Sequence, residues 1–537
     1  MKFLREHRLL ITTVTPIHIG CGEDYTPTDY VIDENTLFAV DSVAVADGLP
    51  QVAHKKLREM LKGTVRDDAL KQIQKLFYEQ RESLMAKATH YLPVAKGVAH
   101  LYEDRIGSVA QRQENGNNVI NKLEIERTLY NPISQRPIIP GSSLKGAIRT
   151  ALLDLINEGR PARLNETNHK LQERLFEYQM GKLEKDPMRL INLADTKEVG
   201  GHTKTSEIRF AINRFRRASV QGNRTKAEDK GLYQLLETIP ELTLRAYESR
   251  LTIQDISQLN QRDTDKLPKA ELRWTIQDIA CACNQFYLPQ LQKELEIVAN
   301  YVTSDWKSRM CKLIDEVIVP LKESNKGMLL RVGRHSGAEA VTLNGVRNIK
   351  NESQPRTFWL AAEEQNASSK MVPFGWLLIE IDPTDDLHSM LEEFTRQSSE
   401  ADRRWLKSQQ DRVKAIQARL RQQEQDEKEK VRRQEQARLA KEKEEQERQA
   451  HLASMTEEQR AVEELKSWTE EDRAKQELKP QGRVPCRLNE LLNKATDWPI
   501  ESRVALCDLA ENIYRELGML KGKQGKDRKA RIQKLRE

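Results

Sequence analysis

No run of apolar residues in this chain approaches the ~20 needed to cross a bilayer. The N-terminus MKFLREHRLLITT carries charge but has neither an apolar signal core nor a cleavage site. The sequence therefore reads as cytoplasmic, with no membrane partner. Its six cysteines (Cys21, Cys281, Cys283, Cys311, Cys486, Cys507) include no CxxC pair. Cys281 and Cys283 flank a single alanine, a spacing that places two thiolates poorly on one tetrahedral metal. Reduced, mostly buried thiols are expected, with no metal and no cofactor. A large net charge is also missing: +6 over 537 residues makes whole-chain attraction to nucleic acid weak, so local distribution matters more.

What is present is length and polarity. A chain of 537 residues should divide into two or three units. With 32% charged residues and a mean hydropathy of −0.72, one long segment must be solvated. RLLITTVTP, residues 8–16, reads as a buried strand closed by proline. Gly20 and Gly22 follow, and then YVID and LFAVD form a hairpin around Glu34 and Asn35. Helical periodicity takes over within 50–90, and a strand is expected at KLEIERTLYN. A helix beginning in IIPGSSLKGAIRTALLDLI leads to a charged helix near 169–185 and then to DPMRLINLADT as a turn plus a short strand. ELTLRAYESRLTI resumes the strand pattern, 254–323 is mostly helical, and GMLLRVGRHSGAEAVTLNGV places a glycine loop between strand candidates. MVPFGWLLIEID closes as a strand.

Beyond Asp385 glycine and proline almost vanish and good helix formers dominate, so one long helix or two should cover 391–480. Trp405, Val413, Ile416, Leu420, Val431 and Leu439 are too sparse for sustained heptads, while opposite charges interleave at helical spacing. A solvated single helix is expected, and ~85 helical residues would span ~130 Å. Residues 481–537 recover apolar periodicity as a helical unit with a basic tail.

Four features carry chemistry. In PGSSLKGAIR the turn exposes backbone N–H groups from Gly141 onward, Ser142 or Ser143 can cap the helix, and Lys145 and Arg149 share one face. This is either an anion site or a capped helix with a solvated lysine; Gly146, costly inside a helix, favours close approach by something. In TPIHIGCGEDY, His18 beside Gly20 and Gly22 could take a 2′-OH proton as general base, pack, or bond a phosphate or base. LLRVGRHSGAEAVTLNG offers Arg331, Arg334 and His335 among glycines that match neither a Walker loop nor a dinucleotide fingerprint. That leaves backbone approach to a phosphodiester or a plain β-hairpin. Finally, Lys204, Arg209, Arg214, Arg216, Arg217, Arg224 and Lys226 surround Phe210 and Phe215, either a phosphate-and-base platform or a strand with inward phenylalanines.

TVTPIHIGCGEDY, IIPGSSLKGAIRTALL, DPMRLINLADT and the late glycine loop before VPFGWLLIEI together resemble the RAMP superfamily of CRISPR-associated RNA-binding proteins, over residues 8–383. Within it, their order and spacing are most similar to the fifth-subunit family of the type III-A effector, the Csm complex. The late loop lacks the long glycine run usual in RAMP proteins, and the charged helix and the unit after about 485 lie outside the pattern.

The resemblance implies an α+β chain with two ferredoxin-like, RRM-related domains. These would be 1–240, with a helical insertion at 50–90, and 241–390, with one at about 254–323. It also implies a non-catalytic subunit that caps the effector filament over the 3′ region of CRISPR RNA and is needed for maturation of that end in antiviral defence. Its partners would be backbone RAMP subunits, small subunits, and target RNA through the guide. Candidate RNA-binding residues are His18, Gly20, Gly22, Gly141, Ser142, Ser143, Lys145, Arg149, Lys204, Arg214, Arg216, Arg217, Arg331, Arg334 and His335. Two alternatives stand beside this: a metal-independent endoribonuclease acting on CRISPR RNA precursor with His18 as base, and a scaffold whose long helix recruits a host trimming nuclease.

Overall fold

In the computed structural model, the described residues are 3–62, 67–106, 111–112, 118–119, 123–199, 206–216, 232–257, 266–348, 355–384 and 386–537. Lys204 and Arg217 lie outside them. The chain divides into two units, 1–420 and 421–537.

The first unit is α+β. The strand Leu4–Thr13 buries Leu9 to Thr13 on both faces while Arg8 before them is exposed, which explains the run LLITT without alternation. It pairs antiparallel with Thr243–Gln254 on one side and Trp376–Ile381 on the other, setting Ile11 opposite Tyr247 and Ile379. Gly327–Arg331 pairs antiparallel with the outer side of Trp376–Ile381, while Ile191–Leu193 and Lys197–Glu198 pair with Thr243–Gln254. A second sheet runs Val372–Pro373, Thr357–Ala362, Glu207–Phe215, Tyr233–Thr238, Ile125–Thr128, Gly20–Tyr25. Both sheets draw strands from either side of residue 240. The expected consecutive division at 240/241 is replaced by interleaving, because the first strand is central and needs partners on both edges.

Two helices position the candidate site. Gly141–Asn157 buries Leu144, Ala147, Ile148, Ala151 and Leu152, an i, i+3, i+4, i+7, i+8 stripe. Ile276–Ile297 starts at a Thr275–Asp278 capping box. The Tyr287 hydroxyl joins the two helices by donating to the Ala147 carbonyl at 3.0 Å. Asn284 pins the second helix to the first sheet, donating to the Gly327 carbonyl and accepting from the Leu329 amide, both at 2.9 Å.

The helices Gln51–Leu61, Asp67–Glu79 and Arg81–Met85 precede His90–Pro93, which pairs with the Tyr30–Asp33/Thr36–Ala39 hairpin. The long helix is Asp386–Ser454, ~100 Å at 1.5 Å per residue, and a Thr456–Gln459 capping box starts the next, Glu457–Ala474. Val413, Ile416 and Leu420 are not scattered surface positions. They form an i, i+3, i+7 stripe on a core with Val31, Phe38 and Leu84, and Arg412 pairs with Asp33 and Glu34. Residues 421–450 are exposed on all sides, with i,i+4 ion pairs such as Arg433–Glu429.

In the second unit, Glu457–Ala474, Arg483–Lys494, Ile500–Glu516 and Gly522–Arg536 enclose a core of their own, including Leu465, Leu488, Leu506, Ile513 and Ile532.

Candidate nucleic-acid interface

Four stretches far apart in sequence are joined here by one run of hydrogen bonds. The Arg334 amide donates to the His18 carbonyl at 2.8 Å, and the next residue, Ile19, accepts at its carbonyl from the Leu129 amide at 2.6 Å. Ile138 then donates to the Leu129 carbonyl at 2.9 Å, and Thr196 to the Ile139 carbonyl at 3.0 Å. These contacts bring together the late glycine loop, the TPIHIG loop, the segment from the strand end at Leu129 to the helix start at Ile139, and LADT. Glycine is required at 333: its φ is +82°, and a Cβ would lie 2.4 Å from the His18 carbonyl oxygen.

The helix start is built differently from a serine cap. Pro140 is the N-cap residue, and the Gly141 amide donates to the Asp195 carboxylate at 2.8 Å, so the chain supplies an anion for that donor. A Cβ on Gly141 would lie 2.3 Å from the Leu193 carbonyl oxygen, which explains the glycine. Ser142, Lys145 and Gly146 lie on one stripe; Ser142 and Gly146 are exposed and Lys145 is half-buried. The Lys145 ammonium has no hydrogen bond or ion pair to a described residue. Burial lowers its pKa, partly offset by nearby Asp186. Around Gly146 nothing comes within 4 Å of an added Cβ, leaving open room beside that lysine.

Arg149, expected to add a second cation, is committed elsewhere. It forks onto Asp186 at 3.0 and 3.2 Å, donates to Gln172 and the Tyr178 hydroxyl, and lies over the Phe176 ring. Arg189, in the same DPMRLINLADT stretch, is exposed and its side chain has no partner among the described residues.

His18 is fully buried. Its Nδ1 meets the Glu237 carbonyl at 2.8 Å, while Nε2 has no partner among the described residues and faces Gly20, 3.5 Å from where a Cβ would stand. Burial lowers its pKa, and no atom is open to a 2′-OH from outside. Gly22, at φ +82°, is unobstructed. Beneath the loop, Glu237 accepts from the Ser206 hydroxyl at 2.7 Å and burial raises its pKa. Arg127 lies 3.6 Å from Glu237 and is sandwiched between the rings of Tyr25 and Tyr130, at 4.3 and 3.6 Å. One signal for it existed: Arg127 shares strand parity with buried Leu123 and Ile125, where a cation needs a partner. Glu237 gave none, since its strand is buried on both faces.

His335 stacks on Trp359 at 4.6 Å and meets Gln234 at 2.9 Å; burial, with Arg334 and His18 nearby, lowers its pKa to about 3. Burial holds His90, bonded to the Tyr25 hydroxyl, at about 4. The unfolded chain protonates these rings near 6.5 while the folded chain refuses the proton, so their stabilisation is present above 6.5 and lost as pH falls through the folded values. Glu237 acts in the opposite sense. Melting temperature should fall from about pH 7 to about pH 5, and His335→Gln should flatten that slope; thermal melts at both pH values would check it.

The late loop is no hairpin. Gly327–Arg331 pairs with Trp376–Ile381, and Ala338–Val341 is helical, because Gly333 and Gly337 turn the chain aside at positive φ. Arg331 is a core residue: it donates to Glu294 at 2.8 Å and to the Phe374 carbonyl at 3.0 Å, under the Trp376 ring. Arg334 is exposed and paired with Glu126. Arg216 forms a nearly buried pair with Glu339, and Arg214 donates to the Asn213 and Ala367 carbonyls at 3.0 and 2.8 Å.

The family model described as RAMP superfamily matches residues 10–280, half of the chain. The chain belongs to the RAMP superfamily. All four joined stretches except the late glycine loop fall within that RAMP match. Over 150 residues the chain is 26% identical to the CRISPR system protein Csm5 of Streptococcus thermophilus, a match covering 28% of this chain and 38% of that protein. The chain thus spans about two-fifths of that relative's length. Among solved structures it is similar to a chain of a Csm–crRNA–target RNA ternary complex of a type III-A CRISPR-Cas system. That similarity has 18% identity and a TM-score of 0.42, covering 70% of this chain and all of that one. It is also similar to Csm5 of T. onnurineus at 17% identity and a TM-score of 0.38, over 69% and 99% of the two chains.

Proposed function

We propose that this chain is an RNA-binding subunit of a type III-A CRISPR effector, the Csm complex. It would cap the filament over the 3′ region of CRISPR RNA, support maturation of that end, and bind without cutting. The observation that carries this is the helix stripe Ser142–Lys145–Gly146, open to solvent beside a half-buried ammonium that has no partner among the described residues. It stands next to backbone brought together from four RAMP-like stretches. Such a surface suits phosphates and reads no base, as a guide-carrying subunit requires. In this reading the two larger sheets belong to ferredoxin-like, RRM-related modules. The partners are CRISPR RNA, backbone and small subunits of the complex, target RNA through the guide, and a host trimming nuclease, all in the cytoplasm. Burial of His18 weighs against its use as a base.

The test is co-purification from cells carrying the CRISPR locus, with bound RNA sequenced and bound proteins identified. Repeat-spacer RNA together with effector subunits is expected; recovery of neither would sink the proposal. Lys145→Ala should weaken RNA binding about 3- to 10-fold by a similar factor for unrelated sequences, measured by fluorescence anisotropy. Weakening confined to one sequence would contradict backbone binding.

A further inference from the structure

The last 17 residues, 521–537, hold eight cations against two acids, a net of six that equals the formal excess of the whole chain. Everything before Lys521 is neutral in sum. Within the second unit, arginines are matched to local acids: Arg473 with Glu516 at 2.6 Å, Arg483 with Asp472 at 2.6 Å, Arg487 with Glu490 at 3.0 Å and Arg515 with Glu511 at 3.1 Å. Arg536 of the final helix joins that pattern through Asp508 and Glu511. Lys521, Lys523, Lys526, Lys529 and Lys534 do not: all five are exposed, with no side-chain partner among the described residues.

Their placement does not serve the helix. Gly522–Arg536 has no acid in its first turn, and three of the lysines sit at that end, where the helix dipole disfavours positive charge. Ile532 and Leu535 fix the buried side in the unit's core, and at 100° per residue Lys523, Lys526 and Lys534 fall on the side turned away from it. Lys523 to Lys534 is ~16 Å along the axis, about five phosphates of one strand at ~3.4 Å each. A bilayer surface fits less well, because the apolar residues of this helix are spent in the core and leave no face to insert.

We propose that the Lys521–Lys534 face is a second binding surface, separate from the Lys145 site, for the phosphodiester backbone of nucleic acid. It binds through charge alone and is blind to sequence. It rests on its own charge distribution and holds whether or not the Lys145 surface binds RNA.

The test uses the full chain and fluorescein-labelled 20-nucleotide RNA and DNA of two unrelated sequences, titrated at ~50 to ~200 mM salt. With all five lysines changed to Gln, affinity at ~100 mM salt should fall at least ~10-fold on every oligonucleotide, and the log–log salt slope should shrink by about 2 to 3.5. Five Lys→Arg changes should retain both values. Unchanged affinity and slope in a Gln variant that melts like the parent would overturn the proposal, as would loss on one sequence only. So would unchanged RNA affinity with lost capture on phosphatidylserine vesicles. If the five-fold Gln variant does not fold, Lys523→Glu with Lys526→Glu is read by the same criteria. Lys145→Ala reports separately on the first site, so failure of either surface is seen independently of the other.

Discussion

Replacing Arg331 by alanine should cost the protein about 3 to 5 kcal/mol of stability, although the sequence presents this residue as a cation in a glycine-rich RNA loop. Its guanidinium is buried against Glu294, which also accepts the Trp376 indole N–H at 2.7 Å. Removing the arginine leaves a buried carboxylate without its counter-charge, the costly half of a broken pair. Replacing both partners, Arg331→Met with Glu294→Gln, should recover much of the loss, because the desolvation cost leaves with the charges. Denaturant unfolding of the single and double variants would decide it. A single variant as stable as the parent would mean that Arg331 is not the core residue its contacts make it.

Two glycines five residues apart in the same helix should respond in opposite senses. Gly141→Ala forces a methyl against the Leu193 carbonyl at 2.3 Å, so helix and LADT must separate. A loss of about 2 to 3 kcal/mol is expected, together with about 10-fold weaker RNA binding. Gly146→Ala meets nothing within 4 Å and should stabilise the free protein by roughly 0.5 to 1 kcal/mol. It should nonetheless weaken RNA binding, since the methyl occupies the room beside Lys145. Melting curves paired with anisotropy titrations would read both effects, and tighter RNA binding by Gly146→Ala would count against approach at that face.

The elements were legible where one physical preference dominated. LLITT could only be a strand buried on both faces, and the apolar stripe after Gly141 could only be a helix laid on a core. The charge-laced stretch without glycine or proline could only be a solvated helix over 421–450. Side-chain roles were legible much less often, because a charge looks the same in sequence whether it meets water or a buried partner. Arg149, Arg216 and Arg331 read as cations for RNA, yet each is held by a carboxylate from a distant stretch: Asp186, Glu339 and Glu294. The long helix shows the same limit, since Val413 and Ile416 look sparse until the hairpin that covers them, nearly four hundred residues earlier, is in place.

The sequence by itself determined the type of most elements, though not of the segment after the late glycine loop, together with the glycines that turn or approach backbone, the solvated rod, and the concentration of net charge in the last 17 residues. Each follows from local stereochemistry or simple summation. Tertiary structure alone decided that strands from both sides of residue 240 share each large sheet, that Asp195 rather than a serine meets the start of the signature helix, and that Arg149 meets a carboxylate while Lys145 pairs with none among the described residues. Those outcomes depend on which distant segment arrives at a given surface, and a carboxylate's choice of partner is set by that arrival and not by spacing along the chain.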